Sequence, residues 1–219
     1  VCMFNGEIYN YNDFKDLNNN NNFKSDGLCL IPLYQKYGTD FIKYLDGEFS
    51  ILIIDFNSNI ILFTKDIFGT KPLFLSIEKN NIGLSSYRSC LERLEFKNII
   101  NVESNQVYLY NLKNFEFIDK YQIYKFSLNQ YKDSFDDWNK AFENSIKKRT
   151  ENQKVLVTLS SGLDSGSICC ALNKLKIDYL SRSIIGLEDK NILEKRSNLS
   201  NNSLIFNINK NSIEYRFSL

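Results

Sequence analysis

The chain has 219 residues, and its 27 Lys and Arg residues against 26 Asp and Glu residues give a net charge of +1. Such a balance provides no long-range field for a polyanion, which argues against a dedicated nucleic-acid or anionic-membrane binder. The sequence contains no histidine, so Ser-His-Asp, Cys-His and His-ligated metal mechanisms are excluded. With 43% hydrophobic residues the chain can bury the core of one or two domains, and disorder throughout is excluded.

Cysteine usage and the length of the apolar runs bear on the compartment. The five cysteines lack C-x-x-C spacing, so neither a disulfide framework nor a zinc ribbon is indicated, and a reducing compartment fits best. Apolar runs stay far shorter than a membrane span, and the start shows no basic and apolar leader. We therefore expect a soluble, cytoplasmic protein with no membrane partner. The asparagine run at residues 18–22 is interpreted as a solvated loop.

The first block of the chain, up to about residue 123, alternates short apolar runs with polar turns, which is typical of antiparallel strands. The run at residues 1–4 ends at Asn5-Gly6, a turn signal that predicts a loop at the rim of a sheet. We expect two antiparallel sheets packed face to face, with residues 1–4 on an unpaired edge. Further strands are predicted at residues 49–55, 60–65, 73–77, 83–86 and 106–111.

Two segments of this block have helical spacing, residues 11–17 and residues 28–37. Either Ser25 or Asp26 could cap the second helix. Pro32 should end or kink that helix unless it lies in the first turn. The first block is therefore predicted to be α+β.

The pattern changes after residue 131 to helix, strand, polar glycine loop and helix, which predicts a parallel α/β sheet. We place a domain boundary there, with one domain at residues 1–131 and the start of a second at residues 132–219. The second domain is predicted to contain a helix at residues 136–149 and a second helix that follows the polar loop and ends at about residue 174. Its strands are predicted at residues 155–159, 179–186 and 204–208.

The polar loop of the second domain reads Ser160-Ser161-Gly162-Leu163-Asp164-Ser165. A strand that leads through such a loop into a helix brings backbone amides and hydroxyls together around an anion. The loop is not a Walker A motif, because it contains no lysine. It resembles the S-G-G-x-D-S pyrophosphate loop of ATP pyrophosphatases that adenylate their substrates. Ser161 stands where that pattern has its first glycine. The alternative is an ordinary Ser/Gly turn that caps a helix.

This resemblance implies ATP and Mg²⁺ as the ligands of the second domain. The residues implied for pyrophosphate are Ser160, Gly162 and Ser165, with Asp164 holding magnesium and with Leu159, Ile184 and Gly186 lining the adenine side.

The first block carries a separate resemblance. Its segment F-N-G-E-I-Y-N at residues 4–10 is similar to that of class II glutamine amidotransferase domains, which stand at the front of glutamine-dependent asparagine synthetases. Three more segments, at residues 25–26, 45–50 and 66–74, follow the order of that family. The resemblance implies an α+β antiparallel two-sheet sandwich of the N-terminal nucleophile type, incomplete at its start, followed by the beginning of an α/β parallel-sheet ATP-pyrophosphatase domain.

The roles of the glutamine site come from the same resemblance. It implies Asn5 and Gly6 as oxyanion donors, with Asn5, Glu7 and Asp26 binding glutamine. Taken singly, Asn5-Gly6 could be a tight turn and Asp26 a helix cap. The nucleophile of the family is an amino-terminal cysteine, whereas Cys2 is interpreted as a core residue, so the chain as given is not expected to hydrolyse glutamine.

The two resemblances together imply one reaction, the ATP-dependent transfer of glutamine-derived ammonia to the side-chain carboxylate of aspartate through an acyl-adenylate. The implied partners are glutamine, aspartate and ATP, and a homodimer in the full-length family. The chain is interpreted as a fragment or a truncated relative of such a synthetase. A related enzyme with another acceptor and a non-catalytic homologue stay open as alternatives.

Overall fold

The computed structural model describes residues 1–17, 23–79, 81–129, 131–151, 153–186, 188–200 and 202–207. The asparagine run at residues 18–22 and residue 208 lie outside these ranges. The chain divides into two compact units, Val1–Asn129 and Gln130–Leu219. None of the helices in the described ranges has both the length and the apolar character needed to cross a membrane.

The first unit contains a five-stranded antiparallel sheet in the order β1-β2-β3-β7-β8 and a three-stranded antiparallel sheet in the order β5-β4-β6. The strands are β1 (Cys2–Ile8), β2 (Gly47–Asp55), β3 (Ile60–Lys65), β4 (Phe74–Glu78), β5 (Asn81–Ser85), β6 (Ile100–Asn101), β7 (Gln106–Asn111) and β8 (Phe117–Gln122). Of these, β6 and β8 were not predicted from the sequence.

Both faces of the five-stranded sheet are buried. Successive side chains of a strand point to opposite faces, so the sheet contributes side chains to two cores. Ile51 and Ile53 of β2 pack on one face against the helices of the unit. Ile61 and Phe63 of β3 pack on the other face, in a second core that includes Leu75 of the smaller sheet. The expected face-to-face packing of two antiparallel sheets is therefore confirmed.

The helical elements of the first unit are 3₁₀ turns at Tyr11–Leu17, Asp26–Cys29 and Gly38–Tyr44, and the α-helices α1 (Leu30–Tyr37) and α2 (Arg88–Arg93). The two predicted segments, residues 11–17 and 28–37, are helical, whereas Gly38–Tyr44 and α2 were not predicted. Pro32 lies in the first turn of α1, where its missing N–H costs no helical hydrogen bond. The predicted caps are wrong: Ser25 makes no capping bond, and the carboxylate of Asp26 accepts instead from the backbone N–H of Ile8.

The predicted turn at Asn5-Gly6 is also wrong, because both residues lie inside β1. They pair with Ser50 and Phe49 of β2. The backbone of Gly6 has φ +148°, and a β-carbon there would lie 1.9 Å from the carbonyl oxygen of Glu48. The glycine thus serves a close approach of two strands rather than a turn.

The strand β1 lies at an edge of its sheet. It pairs along its whole length with β2, and none of the other described strands pairs with its outer side. The prediction that residues 1–4 form a sheet edge is confirmed, although β2 of this chain supplies the pairing on the inner side.

The second unit is a parallel sheet in the order β11-β10-β9 with helices, as predicted. Its buried core includes Val157, Leu172 and Leu193 from the sheet and the helices. The elements are α3 (Asp136–Thr150), β9 (Val155–Thr158), α4 (Leu163–Lys174), β10 (Tyr179–Ile185), α5 (Lys190–Ser197) and β11 (Ser203–Asn207). Six large apolar side chains on the described strands of this sheet are exposed, namely those of Leu156, Leu180, Ile184, Leu204, Ile205 and Phe206.

Candidate functional site

The backbone of β1 presents a hydrogen-bond donor at the open edge of the sheet. Ile54 N–H donates to Val1 C=O at 2.9 Å, which makes these two residues a hydrogen-bonded pair. Because such pairs alternate along an antiparallel ladder, Gly6 and Phe49 form a non-hydrogen-bonded pair. Consistent with this, the N–H and C=O of Phe49 are bonded to Asp66 on the far side of β2. The N–H of Gly6 therefore points outward from the edge.

A carboxylate lies on the same edge. Ile8 N–H points outward like that of Gly6, and it donates to Oδ2 of Asp26 at 2.8 Å. The hydroxyl of Ser25 donates to Oδ1 of the same carboxylate at 3.2 Å. Two outward amides of one strand lie about 7 Å apart. The edge of β1 thus carries an amide donor and a carboxylate at a separation suited to the two polar ends of an amino-acid amide.

The side chains of Asn5 and Glu7 lie on a face of the sheet beside this edge rather than on it. Asn5 Nδ2 donates to Ser86 Oγ at 3.0 Å. Glu7 stands opposite Glu48 of β2, and Glu48 accepts from the hydroxyl of Tyr9 at 2.8 Å. Both predicted side chains are exposed.

The thiol of Cys2 is not activated. It packs against the core on the helical face of the sheet, and burial raises its pKa to about 11. A nucleophilic cysteine needs a lowered pKa, because the thiolate is the reactive form. The geometry supports the interpretation of Cys2 as a core residue.

One residue that organises the rim was not singled out from the sequence. Asp66, 3% exposed, accepts from the N–H groups of Phe49 at 3.1 Å, Phe68 at 3.0 Å and Thr70 at 2.9 Å. The hydroxyl of Thr70 adds a fourth bond at 3.0 Å. Asp66 therefore fixes the loop between β3 and β4 to the start of β2. The available signal was a carboxylate directly after a buried strand and ahead of a glycine turn.

The predicted phosphate loop of the second unit forms at the carboxyl end of β9 and leads into α4. Its first and last serines hold it closed: Ser160 N–H donates to Ser165 Oγ at 3.0 Å, and the two hydroxyl oxygens lie 2.8 Å apart. Gly162 N–H donates to Ser160 Oγ at 3.2 Å. Three residues of the predicted set are thus brought together at the start of a twelve-residue helix.

The end of β10 lies beside this loop. Thr158 pairs with Arg182 in parallel register, and Leu159 N–H donates to the carbonyl of Arg182 at 2.8 Å. Ile184 on the same strand and Gly186 just after it therefore reach the edge of the sheet that carries the loop. The side chain of Leu159 is in the core at 3% exposure, so this residue offers a ligand only its backbone.

Two charged residues from around α5 touch the loop, and sequence reasoning missed both. Oε2 of Glu188 accepts from Ser161 N–H at 2.6 Å and also from the Ser161 hydroxyl. These bonds, with the charge of Arg196, hold the pKa of the Glu188 carboxyl below its usual value. Arg196 Nη1 donates to the carbonyls of Ser160 at 2.8 Å and Gly162 at 2.7 Å. The available signal for Glu188 was its position shortly after β10, at the loop's edge of the sheet, whereas Arg196, in the last turn of α5, had no local signal.

One residue of the loop already holds an anion, because the N–H and the hydroxyl of Ser161 donate to the carboxylate of Glu188. Asp164 is exposed in the first turn of α4. In the described part of the chain no group of three or more metal-ligating side chains lies together.

Comparison with known proteins supports the resemblance of the first unit to glutamine amidotransferase domains. The family model described as a glutamine amidotransferase domain matches residues 1–130. This chain belongs to the glutamine amidotransferase domain family.

The relatives by sequence are named asparagine synthetases. A putative glutamine-hydrolyzing asparagine synthetase 1 of Methanocaldococcus jannaschii is 29% identical over 196 residues, which are 77% of this chain and 34% of that protein. Glutamine-hydrolyzing asparagine synthetase 2 of Bacillus subtilis is 40% identical over 88 residues, 39% of this chain and 12% of that protein. The chain thus spans about a third or less of the length of these relatives.

Among solved structures, a glutamine phosphoribosylpyrophosphate amidotransferase from B. subtilis matches with a TM-score of 0.48 and 13% identity, covering 94% of this chain and 60% of that one. That similarity is too low to add to the assignment.

Proposed function

We propose that the chain carries parts of a glutamine-dependent, ATP-using synthetase that forms asparagine. Residues 1–131 provide the glutamine site and residues 132–219 the ATP site. One observation carries the proposal: a loop whose serine hydroxyls and backbone amides come together at the start of a helix follows a glutamine amidotransferase domain in the same chain. The names of the relatives support aspartate as the acceptor of the ammonia.

The glutamine site would lie along the open edge of β1. The outward N–H of Gly6, assisted by the amide of Asn5, would stabilise the oxyanion that forms when a nucleophile, an amino-terminal cysteine in the family that the chain resembles, adds to the glutamine amide carbon. Asp26, held on Ile8 N–H, and the exposed Glu7 would pair with the α-ammonium group. Cys2 does not supply the nucleophile, because its pKa of about 11 keeps the thiol protonated.

The ATP site would lie at the loop of the second unit. Ser160, Gly162 and Ser165 would donate to the β- and γ-phosphates, while the backbone of Leu159 and the segment from Ile184 to Gly186 would border the adenine. Asp164 would hold Mg²⁺, which supplies positive charge that neutralises the departing pyrophosphate. The aspartate carboxylate would attack the α-phosphorus, and ammonia would then displace AMP from the acyl-adenylate.

A non-catalytic homologue is the second candidate. The observation that favours it is the carboxylate of Glu188 on the loop, since it stands where a phosphate would bind. Such a protein would retain the fold and bind glutamine without consuming ATP.

Calorimetry of the whole chain with pyrophosphate and Mg²⁺ tests the ATP site. We expect weak, magnesium-dependent binding that Asp164→Ala reduces about tenfold or more, because the protein then lacks its magnesium carboxylate. The control is Asp178→Ala, which removes an exposed carboxylate of the same unit and should leave the affinity unchanged. Equal affinity in the wild type and Asp164→Ala would contradict the ATP site and show that the loop is an ordinary Ser/Gly turn that caps a helix.

A further inference from the structure

The contacts of the loop point to an autoinhibitory arrangement. We propose that the carboxylate of Glu188 occupies the phosphate position of the loop at residues 160–165 and has to leave before a phosphate ligand binds. This inference rests on the proposed ATP site and adds a regulatory device to it.

The first step concerns the donors. Ser161 offers the carboxylate both its backbone N–H, at 2.6 Å, and its hydroxyl. A phosphate oxygen requires the same kind of donor at the same distance, and one donor cannot serve two anions fully. The two anions also repel each other at such a separation. The carboxylate of Glu188 on Ser161 therefore opposes a phosphate at the neighbouring donors Ser160, Gly162 and Ser165.

The second step concerns how Glu188 is held. The next residue, Asp189, caps α5 by accepting from Ile192 N–H at 3.2 Å. Asp189 N–H donates to Ser161 Oγ at 3.2 Å. Because the cap is made by Asp189, rotation of the Glu188 side chain breaks no hydrogen bond of the helix. The carboxylate can leave the loop while α5 stays in place.

The third step concerns the cation that would remain. Arg196, near the other end of α5, donates to the carbonyls of Ser160 and Gly162. Its guanidinium lies so close to α4 that a β-carbon at Gly166 would be 2.7 Å from it. The guanidinium is thus tied to the loop independently of Glu188. In the ligand-free chain Glu188 provides the counter-charge, which an incoming phosphate would replace.

Calorimetry with pyrophosphate and Mg²⁺ on the whole chain tests this exchange. We expect Glu188→Gln to tighten binding about fivefold or more, because the charged competitor is lost, and Glu188→Ala to tighten it further, because no acceptor remains. The matched control is Glu194→Gln, which makes the same charge change at an exposed position on α5 and should leave the affinity unchanged.

A second measurement does not depend on affinity. The short bond to a carboxylate should shift the amide proton of Ser161 downfield in the ligand-free wild type. Glu188→Gln should move that resonance upfield, and saturating pyrophosphate should move it back. An amide resonance that is the same in wild type and Glu188→Gln would contradict the contact itself.

The outcomes separate the two proposals. If Asp164→Ala weakens binding but both Glu188 variants bind like the wild type or more weakly, the ATP site stands and the autoinhibitory contact is overturned. If neither the wild type nor any Glu188 variant binds pyrophosphate, the ATP site itself is refuted, and the autoinhibition falls with it.

Discussion

Gly6 lies where β1 and β2 approach too closely for any side chain, and the same residue directs its N–H to the open edge. A substituent there would push β1 away from Glu48 and move that donor. The residue therefore serves the fold and the candidate glutamine site with one property, the absence of a β-carbon. The Asn5-Gly6 pair was wrongly predicted to be a turn, because a tight turn and a close contact between strands both favour glycine.

At the residue scale the state of the Cys2 thiol can be measured directly. We expect iodoacetamide at pH 7.5 to modify Cys2 about a hundredfold more slowly than the exposed Cys90 or Cys170, because a pKa near 11 leaves little thiolate. The rate at Cys2 should keep rising with pH up to about 11. Peptide mass mapping of timed samples gives the rates.

The other cysteines serve as internal controls for this measurement. Labelling of Cys2 as fast as that of Cys90, and blocked by glutamine, would show that Cys2 is an activated nucleophile after all.

At the scale of elements, Asp66 connects β2, β3 and the following loop through four hydrogen bonds. We expect Asp66→Ala to lower the free energy of unfolding by about 3–5 kcal/mol, because it leaves three backbone N–H groups of a buried site without an acceptor. Urea unfolding followed by circular dichroism measures the change. Asp66→Asn keeps the shape and should cost less.

Asp119→Ala is the matched control, since this carboxylate is exposed on β8. It should change the free energy of unfolding by about 0.5 kcal/mol or less. A similar small loss in Asp66→Ala would show that the loop does not depend on its carboxylate.

The observed strands and helices show which elements could be predicted from the sequence. The predictions succeeded where apolar periodicity was strong, as at β7 and α3. They missed β8, whose Phe117 and Ile118 are exposed, because an edge strand depends on pairing with its neighbour more than on burial. At the loop the local motif was readable, whereas the contact of Glu188 joins residues 27 positions apart and has no local pattern.

At the scale of the whole molecule, the exposed apolar side chains of the parallel sheet are unusual, since such sheets are normally covered on both faces. We expect the chain to self-associate with rising concentration through this surface. Leu180→Glu should weaken the association about tenfold or more, because it replaces an apolar contact with a charge. Sedimentation velocity over a concentration series measures the change.

The control is Leu128→Glu, because Leu128 is 91% exposed but lies outside that sheet. It should leave the association unchanged. Equal sedimentation of the wild type and Leu180→Glu at every concentration would contradict a role for the sheet.

The contact between Arg196 and Gly166 has a consequence for how this protein can vary through descent. While the guanidinium lies 2.7 Å from the place of a β-carbon, a lineage that keeps Arg196 can accept a larger residue at position 166 only if that guanidinium shifts away from α4. Once Arg196 is replaced by a short side chain, alanine or serine fits at position 166 and favours the helix by about 1 kcal/mol over glycine. The two positions, 30 residues apart, should therefore vary together, with a residue larger than glycine at position 166 more frequent where the arginine has been replaced.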